Sequence, residues 1–293
     1  MNFVIGATGM VGMEICRLLT ASGKPVKALV RASSDAGKVK KLKDMGATVV
    51  EGDLRDSASL KAACRGATAV IDTASSMPFA YAPEQNTPQS TDQDGALSLV
   101  DAARAAEVEQ FVYTSFPRMA VPFPLQDAKR AVEARLRDSG LMYTILRPTN
   151  FTEVWLSPAV GFNAAESKAT IYGTGDNGIS WISFLDVAQF AAASLGNPAA
   201  RNRTVELGGP RAISPHNVIK IFENMSGKAF EVTHVPVEAL QSQLAAAVDP
   251  MQKSFIGLML GYAGGTPIDM TDTLKAFPVK LRTVEEYARH ASD

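Results

Sequence analysis

The sequence contains few cysteines and histidines and has no excess of either charge. Its 293 residues include two cysteines, Cys16 and Cys64, which are too few for a disulfide framework. Its three histidines lie far apart in the sequence and lack metal-ligand spacing, at His216, His234 and His290. The 29 lysines and arginines are balanced by 30 acidic residues, whereas a nucleic-acid binder usually shows a basic excess. Neither metal chemistry nor nucleic-acid binding is therefore expected.

Long apolar runs are missing as well. The sequence has no run that reaches the roughly 18 residues of a membrane span. The opening residues, Met1-Asn2-Phe3, lack the basic and apolar regions of a signal peptide. The fractions of hydrophobic residues (46%) and charged residues (20%) are typical of a globular protein with a sizeable core. We expect a cytoplasmic globular protein, monomeric or homodimeric, that binds neither nucleic acid nor membranes.

Strand-like and helix-like patterns alternate along the first half of the chain. Helical spacing is clear in Val11, Ile15 and Leu18, and again in the polar segment that surrounds Lys129. Between such segments lie short apolar runs, at 3–5, 26–30, 48–50, 69–71, 110–114 and 142–146. This alternation predicts an α/β fold, a Rossmann-type doubly wound parallel sheet covered by helices on both faces.

A glycine-rich turn joins the first strand to the first helix. Glycines at such a turn permit a tight bend, close approach of the backbone to a pyrophosphate, and packing of the helix on the strand. Phosphate oxygens can then accept hydrogen bonds from the helix N-terminus. The alternative is a tight strand–helix turn with incidental glycines, but its place directly after an apolar strand favours a dinucleotide site. The predicted pyrophosphate-binding residues are Gly6, Ala7, Thr8, Gly9, Met10, Val11 and Gly12.

The second and third strands end in residues that suit the adenosine end of a dinucleotide. NAD sites place an acid after the second strand, but Arg31 stands there and the nearest acid is Asp35. A guanidinium can bind a 2′-phosphate in bidentate fashion, so NADP(H) is predicted in preference to NAD(H). The alternative is a solvated arginine. Asp53 and Leu54 after the third strand suit an adenine amino group and ring, although Asp53 is nearly as well explained as a helix cap.

Ligands of doubly wound folds bind beyond the carboxyl ends of the strands. In this chain the residues that follow the next strands are expected to contact the cofactor, namely Thr73, Ala74, Ser75, Thr114, Ser115, Pro148, Asn150 and Phe151. Apolar residues around them predict an apolar, planar substrate if they line a pocket, although core packing is their commoner role. These residues are Met77, Phe79, Phe116, Phe123, Trp155, Phe255 and Met259.

The chain is predicted to form two regions. Residues 1–150 form the NAD(P)-binding Rossmann domain, which residues 180–210 rejoin through a strand near 203–207. Residues 151–179 and 211–293 form a smaller α/β region that binds the substrate and caps the sheet. In that region, Ser214 and Pro215 predict the start of a helix that Gly227 ends, and Thr283 and Glu286 have the spacing of a capping box.

Six segments together resemble the atypical, NmrA-like branch of the short-chain dehydrogenase/reductase superfamily. They are residues 4–9 (VIGATG), 51–54 (EGDL), 111–115 (FVYTS), 143–148 (YTILRP), 182–188 (ISFLDVA) and 206–210 (ELGGP). The resemblance covers most of the chain. It implies an NAD(P)H-dependent oxidoreductase, since this branch contains NADPH-dependent quinone, triphenylmethane-dye and aromatic-ether reductases. The branch also contains cofactor-sensing regulators without known chemistry.

The usual catalyst of this superfamily is a tyrosine four residues before a lysine. The resemblance assigns that lysine to Lys129, while Leu125 stands in the tyrosine's place. Lys129 shares a helical stripe with Val132 and Leu136, which predicts that it points inward to the cofactor cleft. There it would bind the nicotinamide ribose or move a proton, so it is the candidate catalytic residue. The alternative is a lysine that snorkels past the start of the helix.

The other face of the same helix carries charged residues. Glu133 and Arg137 stand four positions apart, which predicts an exposed ion pair.

Two functions remain open at this point. The first is an NADPH-dependent reductase that transfers hydride to a small, apolar, conjugated substrate such as a quinone, an enone or an aromatic compound. Such an acceptor needs little help with protonation, which would explain the absent tyrosine. The second is a non-catalytic regulator that senses NAD(P)(H) and binds a protein partner. An assembly factor for a membrane complex is a third possibility, and we rank it lowest.

Overall fold

The computed structural model describes residues 1–77 and 86–291, so the predicted substrate contact at Phe79 lies outside the described residues. The chain divides into two compact units. The first consists of Met1–Ser115, Pro124–Arg147 and Val187–Val205. The second consists of Phe116–Phe123, Pro148–Asp186 and Glu206–Asp293.

The first unit is built on a seven-stranded sheet. Among the described residues the strands are β1 (Asn2–Ile5), β2 (Val26–Val30), β3 (Thr48–Glu51), β4 (Ala69–Asp72), β5 (Gln110–Thr114), β6 (Met142–Pro148), β7 (Phe162–Asn163), β8 (Lys168–Tyr172), β9 (Arg203–Leu207) and β10 (Glu231–Val235). The order in the large sheet is β3-β2-β1-β4-β5-β6-β9, and the pairings from β3 to β6 are parallel. The order reverses between β1 and β4, which confirms the predicted doubly wound arrangement and marks the edge where such folds bind ligands.

Helices separate the strands as the periodicity predicted. They are α1 (Met10–Ala21), α2 (Ala36–Asp44), α3 (Ser57–Cys64), α4 (Ala96–Ala105), α5 (Pro124–Asp138), α6 (Thr152–Trp155), α7 (Phe184–Ser194), α8 (Pro215–Ser226), α9 (Val237–Ala246), α10 (Pro250–Gly264), α11 (Thr271–Ala276) and α12 (Val284–Ala291). A π-helix, Pro88–Gly95, precedes α4. No helix within the described part of the chain is both long and apolar enough to span a membrane.

Two of the helix ends confirm the capping signals in the sequence. Ser214 caps α8 by accepting from the backbone N–H of Asn217, and Gly227 ends the helix in the left-handed conformation with φ +69°. At the start of α12, Thr283 and Glu286 bond to each other's backbone N–H at 2.9 and 3.1 Å. The capping box is therefore formed, and both orphan N–H donors at this helix start are satisfied.

The first unit is packed on both faces of its sheet, since Val4 is as fully buried as its neighbours Phe3 and Ile5 on the opposite face. One core cluster lies on the face of Phe3 and Ile5. Fully buried side chains of β1, β4 and β5 pack there against α3, α4 and α5, among them Phe3, Val70, Phe111 and Leu99. Each such side chain contributes about 1.5–3 kcal/mol through removal of apolar surface from water. This face also carries Tyr113, beside the carboxyl ends of β4 and β5.

The second unit has its own sheet and core. Its sheet has the order β10-β8-β7, with β8 parallel to β10 and antiparallel to β7. Aromatic rings fill its core: Tyr262 stacks on Trp155 at 5.2 Å between centroids and meets Tyr172 and Trp181 edge-on at 5.5 and 5.8 Å. The loop 116–123 packs on α10, where an added Cβ at Gly257 would lie 2.3 Å from the ring of Phe123.

Candidate functional site

The glycine loop has the close approaches that the sequence pattern predicts. Gly6 has φ +73°, a backbone conformation that favours glycine. An added Cβ at Gly12 would lie 2.3 Å from the carbonyl oxygen of Gly6, so only glycine lets α1 pack this close to β1. Gly9 precedes α1 without a capping hydrogen bond from any described side chain, and Met10 is 40% exposed. The N-terminus of α1 is therefore open to an anion.

The rest of the loop is anchored inward. Ala7 is fully buried and Val11 is 8% exposed, whereas Thr8 is half-buried. An added Cβ at Gly6 would lie 2.7 Å from Oγ1 of Thr73, which itself donates to the carbonyl of Ile5 at 2.9 Å. The glycine loop and the end of β4 thus fix each other's position.

Arg31 lies at the end of β2, where the sequence places the cofactor's ribose. Its guanidinium is half-buried, and Nη1 donates to Oδ1 of Asn86 at 3.1 Å. The nearest acid, Asp35, caps α2 by accepting from the backbone N–H of Lys38 at 2.8 Å. The carboxylate of Asp35 is therefore used as the N-cap of α2, and the charged side chain directly after β2 is the guanidinium of Arg31.

Asp53 and Leu54 follow β3. The Asp53 carboxylate accepts two hydrogen bonds from the Arg55 side chain, at 2.9 and 2.6 Å. These bonds, more than the charge of Arg31, hold the pKa of Asp53 below its usual value. The helix-cap alternative is wrong for Asp53, because the residue that caps α3 is Asp56. Leu54 is 8% exposed and belongs to the core.

A buried carboxyl group lies under the end of β4. Asp72 is 1% exposed, and its Oδ1 accepts from the backbone N–H of Ala74 at 2.9 Å. Its Oδ2 is buried and has no hydrogen-bond partner among the described residues. Burial raises the pKa of Asp72 to about 6, although the charge of Lys129 opposes the rise. Ser75, the next predicted residue, is exposed.

Lys129 lies in the second turn of α5 on the predicted inner stripe, together with the fully buried Val132 and Leu136. It is only 4% exposed, which excludes the snorkelling alternative. Its ammonium donates to the carbonyl oxygens of Ala74 at 3.1 Å and Thr114 at 3.4 Å. Lys129 thus joins the ends of β4 and β5, and its role in catalysis stays a prediction.

The ammonium of Lys129 also has a charged partner. Its Nζ lies 3.1 Å from Oδ1 of Asp92, a residue of the π-helix whose side chain is fully buried. The second carboxylate oxygen of Asp92 accepts from both the backbone N–H and the hydroxyl of Ser76, at 2.9 and 2.5 Å. The sequence analysis missed Asp92 and Ser76, although Thr87 and Pro88 carry the signal of a helix start.

The predicted ion pair of Glu133 with Arg137 forms, at 3.1 Å, but the prediction that Glu133 is exposed is wrong. Glu133 is 1% exposed and lies among three arginines. Arg147 of β6 bonds to both carboxylate oxygens at 3.0 and 2.5 Å, and Arg130 contacts one of them. Burial alone would raise the pKa of Glu133, but hydrogen bonds from Arg147 and the charges of Arg147 and Arg130 lower it.

The resemblance predicts that Leu125 stands at the position of the superfamily's usual tyrosine. Among the described tyrosines, Tyr113 is in contact with Lys129, whose Nζ lies 5.1 Å from the centroid of its ring. Its hydroxyl is buried without a hydrogen-bond partner among the described residues, and burial raises its pKa far above the usual value. Leu125 is 3% exposed and packs in the interior. Tyr113 is therefore a core residue and a poor proton donor.

Thr114 and Ser115 lie at the carboxyl end of β5 in the first unit. The hydroxyl of Thr114 is buried without a hydrogen-bond partner among the described residues, and the backbone N–H of Ser115 donates to the carbonyl of Leu146 at 2.7 Å. Within residues 1–77 and 86–291, no three His, Cys, Asp or Glu side chains converge as a metal site.

Of the remaining predicted residues, the half-buried Met77 belongs to the first unit and the others belong to the second. Pro148 ends β6, and Asn150 is 6% exposed, with its carbonyl accepting from Ile182 at 3.1 Å. Phe151 precedes α6 and is half-buried. Trp155 and Met259 pack against this unit's core, and Phe116 stacks on Phe123 at 6.0 Å. Their contact with a ligand stays a prediction.

Comparison with known proteins gives consistent matches over most of the chain. The model of the NmrA-like family matches residues 3–288. An NAD(P)H azoreductase of Xenophilus azovorans is 30% identical over 302 residues, which cover 100% of this chain and 98% of that protein. The photosystem II assembly factor Ycf39 of Trieres chinensis is 30% identical over 240 residues, which cover 81% of this chain and 73% of that protein.

Solved structures share the fold. An NADPH-dependent quinone oxidoreductase from Escherichia coli, solved with NADPH, has a TM-score of 0.79 and 24% sequence identity, and the match covers 100% of both chains. This likeness supports the Rossmann-type architecture of the described residues.

Proposed function

Because this chain belongs to the NmrA-like family, we propose that it is an NADPH-dependent oxidoreductase that transfers hydride to a small, apolar, conjugated substrate. The observation that carries the proposal is the glycine loop, in which Gly12 approaches the Gly6 carbonyl and α1 begins without a side-chain cap among the described residues. This arrangement fits a dinucleotide pyrophosphate. The azoreductase relative and the quinone oxidoreductase fold support the same class of reaction.

The residues of the first unit fit the parts of the cofactor. The N-terminus of α1 would bind the pyrophosphate, and the guanidinium of Arg31 would bind the 2′-phosphate. Asp53 keeps its charge because Arg55 lowers its pKa, and it lies at the strand end that suits the adenosine. Bound NADPH would supply the hydride. The predicted contacts of Pro148, Asn150 and Phe151 remain part of the proposal.

A conjugated acceptor suits the charges of this cluster. Reduction of a quinone to a hydroquinone takes one hydride from NADPH and one proton. The conjugated acceptor delocalises the negative charge that the hydride brings, so its protonation needs little help from the protein. The ammonium of Lys129 supplies positive charge at the ends of β4 and β5, where it donates to the carbonyls of Ala74 and Thr114. The buried hydroxyl of Tyr113, whose pKa burial raises, makes it a poor proton source.

The test is direct. Purified protein is titrated with NADPH and with NADH, and oxidation is then followed at the nicotinamide absorbance band with a panel of quinones, enones and azo dyes. We expect tighter binding of NADPH and acceptor-dependent oxidation. NADPH binding without turnover of any acceptor would contradict the enzymatic part of the proposal.

The second candidate is a non-catalytic protein that binds the cofactor and a protein partner. Two points favour it: the resemblance puts Leu125 where the superfamily has its usual tyrosine, and the Ycf39 relative is an assembly factor. This candidate predicts partner capture that depends on NADPH and similar affinity for oxidised and reduced cofactor. A pull-down with no partner in either redox state would contradict it.

A further inference from the structure

The π-helix Pro88–Gly95 carries a charged group into the interior of the first unit. Thr87 and Ser90 form a reciprocal capping box at its start, so its position along the chain is fixed. The side chain of Asp92 is fully buried, and its two carboxylate oxygens face different elements. Wide π-helical turns are frequent at functional sites.

Asp92 connects the loop after β4 with α5. One oxygen lies 3.1 Å from Nζ of Lys129, and the other accepts two hydrogen bonds from Ser76. Lys129 in turn donates to Ala74, whose backbone N–H lies 3.0 Å from where a Cβ on Gly6 would stand. Asp92 is therefore connected through Lys129 with Ala74, a residue that lies close against Gly6 of the glycine loop.

The contacts of Lys129 also limit what its ammonium can do. It has three N–H donors. The carbonyls of Ala74 and Thr114 accept hydrogen bonds from it, and Oδ1 of Asp92 lies 3.1 Å away as its ion-pair partner. The contact with the Thr114 carbonyl, at 3.4 Å, is the longest. A ligand hydroxyl therefore competes with these partners for the ammonium, and exchange of the Thr114 contact loses least because hydrogen bonds weaken with length.

We infer that Asp92 is a positioning residue of the cofactor site: it fixes Lys129 and the loop after β4, so that the ammonium exchanges its Thr114 contact for the bound cofactor. The inference rests on the proposed function. It assigns Lys129 a preset orientation that Asp92 controls through an ion pair shielded from water. Replacement of Asp92 by a neutral residue removes the carboxylate that lies 3.1 Å from the buried ammonium of Lys129 and leaves Asp72 as the other carboxyl group that interacts with its charge.

Replacement by asparagine is a sharp perturbation because it keeps the size of the side chain. Asparagine has one acceptor oxygen and one NH2 donor group, whereas Asp92 uses an acceptor on both sides. In one orientation the NH2 group faces the ammonium of Lys129, and in the other it faces the backbone N–H of Ser76. Either orientation sets donor against donor.

The experiment compares Asp92→Asn with Asp94→Asn, an equal change of charge in the same π-helix. Asp94 is exposed and accepts from Gln89 at 2.8 Å, so it is a matched control. We expect Asp92→Asn to weaken NADPH binding and to lower kcat/KM for NADPH by about tenfold or more, because it disrupts hydrogen bonds to charged groups. Asp94→Asn should stay within about twofold of the parent protein, as exposed charges contribute little.

A double-mutant cycle with Lys129→Met separates positioning from a purely structural role. The NADPH dissociation constant is measured well below each variant's melting temperature. Asp92→Asn in the Lys129→Met background should change it by less than about threefold, because two groups that act through each other are not additive. Independent, multiplying effects would overturn the inference, and so would an unchanged dissociation constant in Asp92→Asn despite a lower Tm.

A second variant covers the case in which Asp92→Asn does not fold. Ser76→Ala removes the hydroxyl bond to Asp92 and keeps the ion pair with Lys129. We expect a several-fold weaker NADPH affinity, and parent-like affinity would overturn the inference. If the parent protein oxidises NADPH and these variants have the same NADPH dissociation constant and kcat/KM as the parent, the inference alone fails. If the parent protein neither binds nor oxidises NADPH, the proposed function fails and the inference falls with it.

Discussion

Replacement of Gly12 by alanine tests the glycine loop most directly. The added Cβ would lie 2.3 Å from the Gly6 carbonyl oxygen, whereas ordinary contacts begin at 3.4 Å. The loop or the helix must therefore move by about 1 Å, and such overpacking costs about 1–3 kcal/mol. Alanine recovers about 1 kcal/mol through its higher helix propensity. We expect a modest net loss of stability but a large loss of function, because a displacement of about 1 Å can cost about 100-fold in a preorganised site.

The assay is a titration of Gly12→Ala with NADPH, together with thermal unfolding. Gly264→Ala is the matched control: it lies at the end of α10, where an added Cβ would meet no described atom within 4 Å. The control should bind NADPH as the parent protein does. Parent-like NADPH affinity in Gly12→Ala would refute the assignment of this loop to the pyrophosphate.

Three further outcomes follow from the first unit. Arg31→Asp should shift preference from NADPH towards NADH by about tenfold or more, since it replaces a bidentate phosphate donor with a like charge, while the exposed Arg201→Asp should not; equal ratios of dissociation constants would remove Arg31 from the 2′-phosphate. Glu133→Gln should lower the free energy of unfolding at pH 7 by about 3 kcal/mol, because arginines lose their buried counter-charge, against little change in the exposed Glu109→Gln. Because the folded pKa of Glu133 is lowered, this difference should shrink in denaturant titrations as the pH falls below its unfolded value of 4.5. The pKa of Asp72 is raised to about 6 from 3.8, so its ionisation opposes folding as the pH rises through that interval. Between pH 4 and pH 7, the free energy of unfolding of Asp72→Asn should therefore rise by about 3 kcal/mol relative to that of the parent protein. A constant difference between the two free energies over this pH interval would contradict the buried, pKa-shifted carboxyl of Asp72.

The parts of the fold that depend on neighbouring residues were predictable. The glycine loop follows β1 directly, so seven consecutive residues determine its turn, its close packing and the start of α1. The start of α8 was predicted from Ser214 and Pro215 because capping is a contact between residues a few positions apart. The doubly wound sheet follows from the alternation of such local elements.

The parts that depend on distant partners were not predictable. Glu133 has the spacing of an exposed pair with Arg137, and only the fold brings Arg147 of β6 against it. Asp92 lies in a polar segment whose wide helical turn matches neither the 3.6-residue period nor strand alternation, so no periodicity reveals it. Its partner Lys129 is far along the chain. Charged residues in the interior are specified by tertiary contacts, which one sequence does not display.

The first unit is assembled from three separate stretches of chain, and this has a consequence for its synthesis. The side chain of Gln110, in the middle of the sheet, donates to the carbonyl of Ser194 at 2.8 Å and accepts from the backbone N–H of Gly196 at 3.1 Å. A nascent chain released only as far as residue 150 would lack these partners, and β6 would present an open edge without β9. The first unit therefore cannot be complete until the chain has left the ribosome as far as Val205, the last residue of its third segment.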